Sequence, residues 1–204
     1  MFLLFVLGCS KTDRVLIDEI TQKNHVIYYE GVKYTGIVFD LLPDDKLRFE
    51  KEYKLGVLDG LYKEWYNNGT LRLEKEYKSG VLDGIYKEWY PNGQIMYESF
   101  LKKGKFEGKH QNWFNNGQLS FEYNYSNGKI DGLCRDWKYN GHLFMETEYK
   151  DGIFISGKCI DDRGDIIDCS IYLNKFSPIE DHYNPSMTSR HSECCDEENN
   201  SFLE

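Results

Sequence analysis

The sequence predicts an all-β fold, an elongated single-layer antiparallel β-meander of tandem 24-residue hairpins, and three observations carry that reading. Glycines recur at Gly36, Gly60, Gly84, Gly108 and Gly132, then at Gly157 after one inserted residue. Two further series run through 56, 80, 104, 128 and 152 and through 69, 93, 117 and 141. All four tryptophans, Trp65, Trp89, Trp113 and Trp137, keep the same step. Between these marks lie short runs rich in aromatic and β-branched residues, closed by Asn-Gly and Asp-Gly pairs that supply the positive φ a hairpin turn needs.

From the N-terminus, residues 1–9 are apolar but too short to span a bilayer. Val6-Leu7-Gly8-Cys9 occupies the positions of a bacterial lipoprotein lipobox, which makes Cys9 the expected lipidation site. No positively charged n-region precedes it, and an ordinary buried N-terminal strand is the competing reading. Residues 10–24 read as a linker or cap and 25–157 as the repeat array. Within the array a degenerate copy, with Pro43-Asp44-Asp45 as its turn, precedes four regular ones. Residues 158–173 read as a capping hairpin around Gly164, and 174–204 as an acidic, disordered tail.

One unit runs from Gly60 to Asp83, with strands expected over 61–66 and 70–77. Its structural marks are Gly60, Trp65 and Gly69, repeated as Gly84, Trp89 and Gly93, Gly108, Trp113 and Gly117, and Gly132, Trp137 and Gly141. Simple alternation places Leu61, Lys63 and Trp65 with Leu71, Leu73, Lys75 and Tyr77 on an apolar face. Tyr62, Glu64 and Tyr66 then share a mixed polar face with Thr70, Arg72, Glu74 and Glu76. The tryptophans are expected chiefly as core, since each offers roughly 150–250 Å² to bury.

Aromatic residues make up 16% of the chain, so the buried layer should be thin and ring-rich. The net charge of −9 is uneven: Lys plus Arg against Asp plus Glu is 18 to 19 over residues 31–157 but 4 to 11 over 158–204. A near-neutral body with an acidic end gives no field for phosphate backbones, which argues against nucleic acid as a partner.

The pattern Gly, four residues, Trp, Tyr/Phe-x-Asn-Gly, then Glu, Tyr, Gly and Asp-Gly resembles the bacterial variant of the MORN repeat, over residues 36–157 or about 60% of the chain. It is similar to the YwqK-like family, described as antitoxins. The resemblance implies a β-meander used to bind proteins, or membranes in some members. The chain departs from the pattern at Leu101, His110, Cys134 and Lys138, where specificity is expected.

No catalytic site, metal site or cofactor is expected. Glu50, Glu74, Glu98, Glu122 and Glu146 form one acidic column and Asp59, Asp83, Glu107 and Asp131 another, but a repeated column offers one environment where acid–base catalysis needs two. Gly104-Lys-Phe-Glu-Gly108-Lys109-His110 lacks the spacing of a phosphate loop, and Asp161–Asp168 lacks the glycine and glutamate of a calcium loop. His191 with Cys194 and Cys195 reads as part of the tail, not as a metal site. Cys159 and Cys169 flank Gly164 symmetrically and form a candidate disulfide in an oxidising compartment.

These readings favour a non-catalytic scaffold mediating protein–protein interaction. It is membrane-anchored at the bacterial cell envelope if Cys9 is processed, with Tyr62, Tyr66, Tyr86, Tyr90, His110 and Phe114 as candidate partner-binding residues. The alternatives are a cytoplasmic antitoxin that neutralises a toxin and, less favoured, a lipid-surface module.

Overall fold

A computed structural model describes residues 14–161, 163–167 and 169; Cys9 and the acidic tail lie outside them. The described strands are β1 (Arg14–Leu16), β2 (Ile20–Lys23), β3 (Val26–Tyr29), β4 (Val32–Lys33), β5 (Gly36–Leu41), β6 (Leu47–Lys54), β7 (Val57–Trp65), β8 (Leu71–Lys78) and β9 (Val81–Trp89). They continue as β10 (Ile95–Lys102), β11 (Lys105–Trp113), β12 (Leu119–Ser126), β13 (Lys129–Ile130), β14 (Gly132–Trp137), β15 (Leu143–Lys150), β16 (Ile153–Ile160) and β17 (Ile166–Ile167). A single 3-10 turn, Ile17–Glu19, is the one helical element among the described residues.

Fourteen strands form one open sheet in which β5 to β12 and β14 to β17 follow chain order, the meander the repeat predicts. Two features at its start break the simple pattern. Strand β1 lies parallel on β5, with Val15 opposite Val38, and β2, β3 and β4 form a separate three-stranded sheet. Thus residues 26–33 pair with the preceding segment and not as a further array hairpin. Val15, Ile27, Tyr34 and Val38 bury together there, closing the first repeat with apolar side chains that later repeats obtain from a neighbour.

Each period contains two kinds of turn. Tyr66–Gly69 is closed by Gly69 N–H to the Tyr66 carbonyl at 2.8 Å and Tyr66 N–H to the Thr70 carbonyl at 2.9 Å, with Gly69 at φ +84°. The Asn68 carboxamide oxygen accepts from Thr70 N–H at 3.0 Å, and Asn92, Asn116 and Asn140 repeat that bond. In the degenerate first copy Asp45, at φ +62°, stands where later units have glycine. The second turn has two positive-φ central residues, Ser79 at +51° and Gly80 at +81°, the signature of a tight type I′ hairpin.

Asp83-Gly84 is therefore not a turn. Gly84, at φ +139°, lies inside β9, and a Cβ there would meet the Glu76 Cβ at 2.7 Å. Between Lys75 and Tyr77 the register against β9 shifts, a bulge around Gly84 that recurs around Gly60 against β6. The bulge turns its acidic residue toward the next hairpin. Asp59 accepts from Ser79 N–H at 3.0 Å, Glu107 from Asn127 N–H at 2.9 Å and Asp131 from Asp151 N–H at 3.3 Å. That acidic column thus caps the tight turn of the following repeat.

Candidate functional site

The bulges also reset the side-chain faces. Tyr62 is opposite Lys75 and Glu64 opposite Leu73, whereas Lys63 is opposite Glu74. The expected apolar set is therefore divided: Leu73, Lys75 and Tyr77 share a face with Tyr62 and Glu64, while Leu61 and Lys63 share the other with Glu74 and Glu76. Simple alternation fails because each unit carries two register shifts that alternation does not register.

On the Lys63 face, charges alternate across the sheet: Glu50, Lys63, Glu74, Lys87, Glu98, Gln111, Glu122, Arg135, Glu146 and Lys158 are successive cross-strand neighbours. Ion pairs join Lys63 to Glu74 at 3.1 Å, Lys87 to Glu98 at 2.9 Å and Arg135 to Glu146 at 2.7 Å. Where Gln111 interrupts the sequence of charges, Lys109 reaches Glu122 at 3.0 Å. Arg135 and Lys158 together hold the Glu146 carboxyl below its ordinary range. The glutamate column is a structural ladder whose charges are met within the sheet.

On the Tyr62 face lies the core. Leu73, Tyr86 and Leu101 are buried, flanked by Tyr62, Leu82, Tyr97 and Phe106. Tyr86, expected as a partner residue, is 2% exposed and stands edge-on to Tyr97 at 4.9 Å between centroids. His110 is ringed by Tyr97, Phe106, Phe121, Tyr123 and Tyr125, and its Nδ1 lies 3.2 Å from the Tyr97 hydroxyl. Burial pushes its pKa down to about 4, so the ring is neutral at pH 7. Of the four positions where the repeats differ, Leu101 and Cys134 are buried and cannot touch a partner. Lys138 takes the Tyr66 position in its turn, with its N–H on the His142 carbonyl at 2.9 Å.

Next to His110 the face becomes polar. Asp136 is 4% exposed, and its Oδ1 accepts from the Tyr123 hydroxyl at 2.7 Å while Oδ2 has no hydrogen-bond partner among the described residues. Burial raises the carboxyl to about 7 against the smaller opposing effect of the Tyr123 bond. The same environment lifts the Tyr123 hydroxyl well above its ordinary value and the Cys134 thiol to about 11, burial being the chief cause of both. Asp136 escaped the sequence reading; its signal is that it replaces Glu64 and Glu88 with a side chain one methylene shorter.

The four tryptophans are not core: all are half-buried, each in the strand position entering the Asn-Gly-type turn. Trp65 pairs with Leu71 across a register shift, and the equivalent shift recurs at the other three. That irregular end of the hairpin places each tryptophan beside the turn. Hydroxyls link the turns along the array, from Tyr66 to the Trp89 carbonyl at 2.7 Å and from Tyr90 to the Trp113 carbonyl at 2.8 Å. Phe114 lacks that hydroxyl and packs edge-on to Tyr139, which donates back to Asn115 at 3.0 Å.

Around the first regular repeat the turn rim opens into a shallow cleft of about 700 Å³, lined by Arg48, Phe49, Lys51, Tyr62, Glu64, Trp65, Tyr66, Asn67, Asn68, Arg72 and Pro91. Tyr62 and Tyr66 of the expected binding set lie here; Tyr90 and Phe114 are half-buried in later turns. Arg72 is the one cation of this cleft that the sequence places with Tyr62 and Tyr66; Lys51 and Arg48 join it only in the structure. Cys159 is fully buried, and Cys159 and Cys169 are each disulfide-bonded, whereas Cys134 is a free thiol. No group of three or more His, Cys, Asp or Glu among the described residues is arranged to hold a metal.

A repeated hairpin with an indole at the turn, a capped tight turn and a ladder-paired face defines a β-hairpin repeat protein. The family model of the MORN repeat variant matches residues 58–79, 82–103 and 106–127, so three tandem hairpins of the chain are similar to that repeat. Each matched segment is one hairpin centred on the Asn-Gly turn, β7–β8, β9–β10 and β11–β12. No curated protein matches the chain. MORN repeats commonly serve as scaffolds for protein or membrane interaction and are generally non-enzymatic.

Proposed function

We propose that this chain is a non-catalytic scaffold that binds a protein partner through the aromatic turn rim of its repeats, held at the bacterial cell envelope by a lipid on Cys9. One observation carries the binding reading: the ladder cations pair with the glutamates beside them, while Trp65, Trp89, Trp113 and Trp137 with Tyr66, Tyr90 and Phe114 stay partly exposed in register along the turns. Tyr and Trp give large contact area with little loss of side-chain freedom, which suits them to a protein interface. A membrane surface would be drawn by a stripe of unpaired cations, and on the ladder Lys63, Lys87, Arg135 and Lys158 are each paired with a glutamate.

Export is supported by the disulfide-bonded Cys159 and Cys169, since such bonds persist in oxidising compartments. Two measurements on the tagged protein in its native host test both halves. Crosslinking followed by affinity purification should recover a discrete protein partner, and a lipid precursor should label wild type but not Cys9→Ser. Recovery of no partner alongside reproducible liposome binding would defeat the protein-scaffold reading. An unlabelled Cys9 with a cytoplasmic toxin as partner would replace the envelope reading with the antitoxin one.

A further inference from the structure

Within the cleft around the first regular repeat, the charges are unequal in kind as well as number. Three cations, Arg48, Lys51 and Arg72, line it against one carboxylate, Glu64. Arg48 is paired with Asp40, which is outside the lining, and Arg72 with Glu64. Glu64 is doubly engaged, taking Arg72 on one oxygen and the Tyr62 hydroxyl on the other. Lys51 has no carboxylate partner among the described residues. Its ammonium is half-buried over two rings, 4.6 Å from the Phe49 centroid and 4.5 Å from that of Tyr62.

Aromatic faces compensate a cation only in part, and a half-desolvated ammonium gains more from a carboxylate. Burial, with Arg48 nearby, lowers the Lys51 pKa, the direction expected of a cation short of a counter-charge. The position is also particular to this end of the array. Residues one to four periods later are Lys75, Ser99, Tyr123 and Thr147, and Lys75 keeps a ring contact with Tyr86 at 4.7 Å. Beside Lys51, Trp65 and Tyr66 line the same cleft with apolar and aromatic surface.

We propose that this cleft receives an acidic peptide segment of a protein partner, a Glu or Asp carboxylate pairing with Lys51 while a neighbouring apolar or aromatic side chain packs on Trp65 and Tyr66. This rests on the protein-scaffold reading and names the chemistry of its partner. A peptide fits better than an anionic membrane because the unpaired cation of this cleft is recessed among rings and turns, whereas bilayer attraction grows with the number of exposed cations. The body of the chain is otherwise balanced, so the recognition is local and not a general attraction of acidic molecules.

The test uses two blocked hexapeptides, one alternating glutamate with phenylalanine and one alternating glutamine with phenylalanine. Binding to the full chain is followed through the Trp65 indole N–H resonance, assigned with Trp65→Phe. Wild type should bind the glutamate peptide at least about tenfold more tightly than the glutamine peptide. Lys51→Met, which keeps the stem packed on Phe49 and Tyr62, should remove the preference, Lys51→Arg should retain it, and Lys63→Met on the ladder face should leave it unchanged. Urea midpoints of all variants establish that they are folded. Equal binding of the two peptides by wild type, or a preference indifferent to Lys51→Met, overturns the proposal. If partner capture in the host meanwhile persists with Lys51→Met, the cleft assignment falls and the scaffold reading stands. Phosphatidylserine vesicles that sediment wild type but not Lys51→Met, with no discrimination between peptides, would overturn it in favour of a lipid surface.

Discussion

His110 and Asp136 lie in the same aromatic layer and should titrate in opposite senses. Burial raises Asp136 from 3.8 to about 7, so the folded chain keeps a proton that the unfolded chain releases. Its contribution to stability is full below the unfolded value and is lost as pH rises through about 7. Burial lowers His110 from 6.5 to about 4, so the folded chain refuses a proton that the unfolded chain accepts. That contribution is full above the unfolded value and is lost as pH falls through about 4. At 1.36 kcal/mol per unit, the upper bounds are about 4 kcal/mol for Asp136 and about 3 kcal/mol for His110. Since the windows overlap, the two largely cancel in wild type between pH about 4 and 6.5.

Replacing one residue should expose the other. Asp136→Asn keeps an acceptor for the Tyr123 hydroxyl and leaves His110 to act alone, so stability should rise with pH by up to about 3 kcal/mol between pH about 4 and 6.5. His110→Tyr restores the residue of the two preceding repeats and leaves Asp136, so stability should fall with pH by up to about 4 kcal/mol between pH about 4 and 7. Urea unfolding followed by tryptophan fluorescence across that range measures both, at constant slope in denaturant. Glu146, Asp131 and Asp161, whose pKa values are lowered by hydrogen bonds, titrate equally in every variant and drop out of the differences. Equal pH slopes in wild type and both variants would refute the reasoning.

Gly84→Ala should destabilise by about 2–3 kcal/mol in a urea melt, because φ +139° is strained for alanine and its Cβ would press on Glu76. Lys87→Glu places three acids in succession with Glu74 and Glu98 and should cost about 1–2 kcal/mol, shrinking in high salt. Tyr90→Phe removes the hydroxyl bond to the Trp113 carbonyl and should cost about 1 kcal/mol by the same assay, whereas the third repeat already carries Phe114 at that position. Cys134, buried with its thiol pushed up to about 11, should resist a thiol-specific reagent at neutral pH until urea unfolds the sheet, as read by mass spectrometry of the labelled peptide.

The period and the hairpins were legible because turns must be written in residue type: Gly69 and Gly80 sit where φ is positive, and strands fill the interval between them. The side-chain faces were less legible. The register shift beside each tryptophan adds one residue to one strand with no mark in residue type, so Tyr86 looked exposed when it is buried and Trp89 looked like core when it is half-buried. A signal did exist in charge complementarity. Lys63 and Glu74, Lys87 and Glu98, and Arg135 and Glu146 match only in the observed register. Lys51 was hidden for another reason: its importance is that its neighbours Arg48 and Arg72 are already paired, a fact of three-dimensional arrangement and not of residue type.

Site-specific photo-crosslinking in the native host tests the central claim that partners meet the turn rim and not the charge ladder. Benzoylphenylalanine at Tyr66, in the cleft, should give one discrete protein adduct, and the same group at Lys63 should give none. An adduct from Lys63 alone, or none from either position in folded protein, would contradict the account.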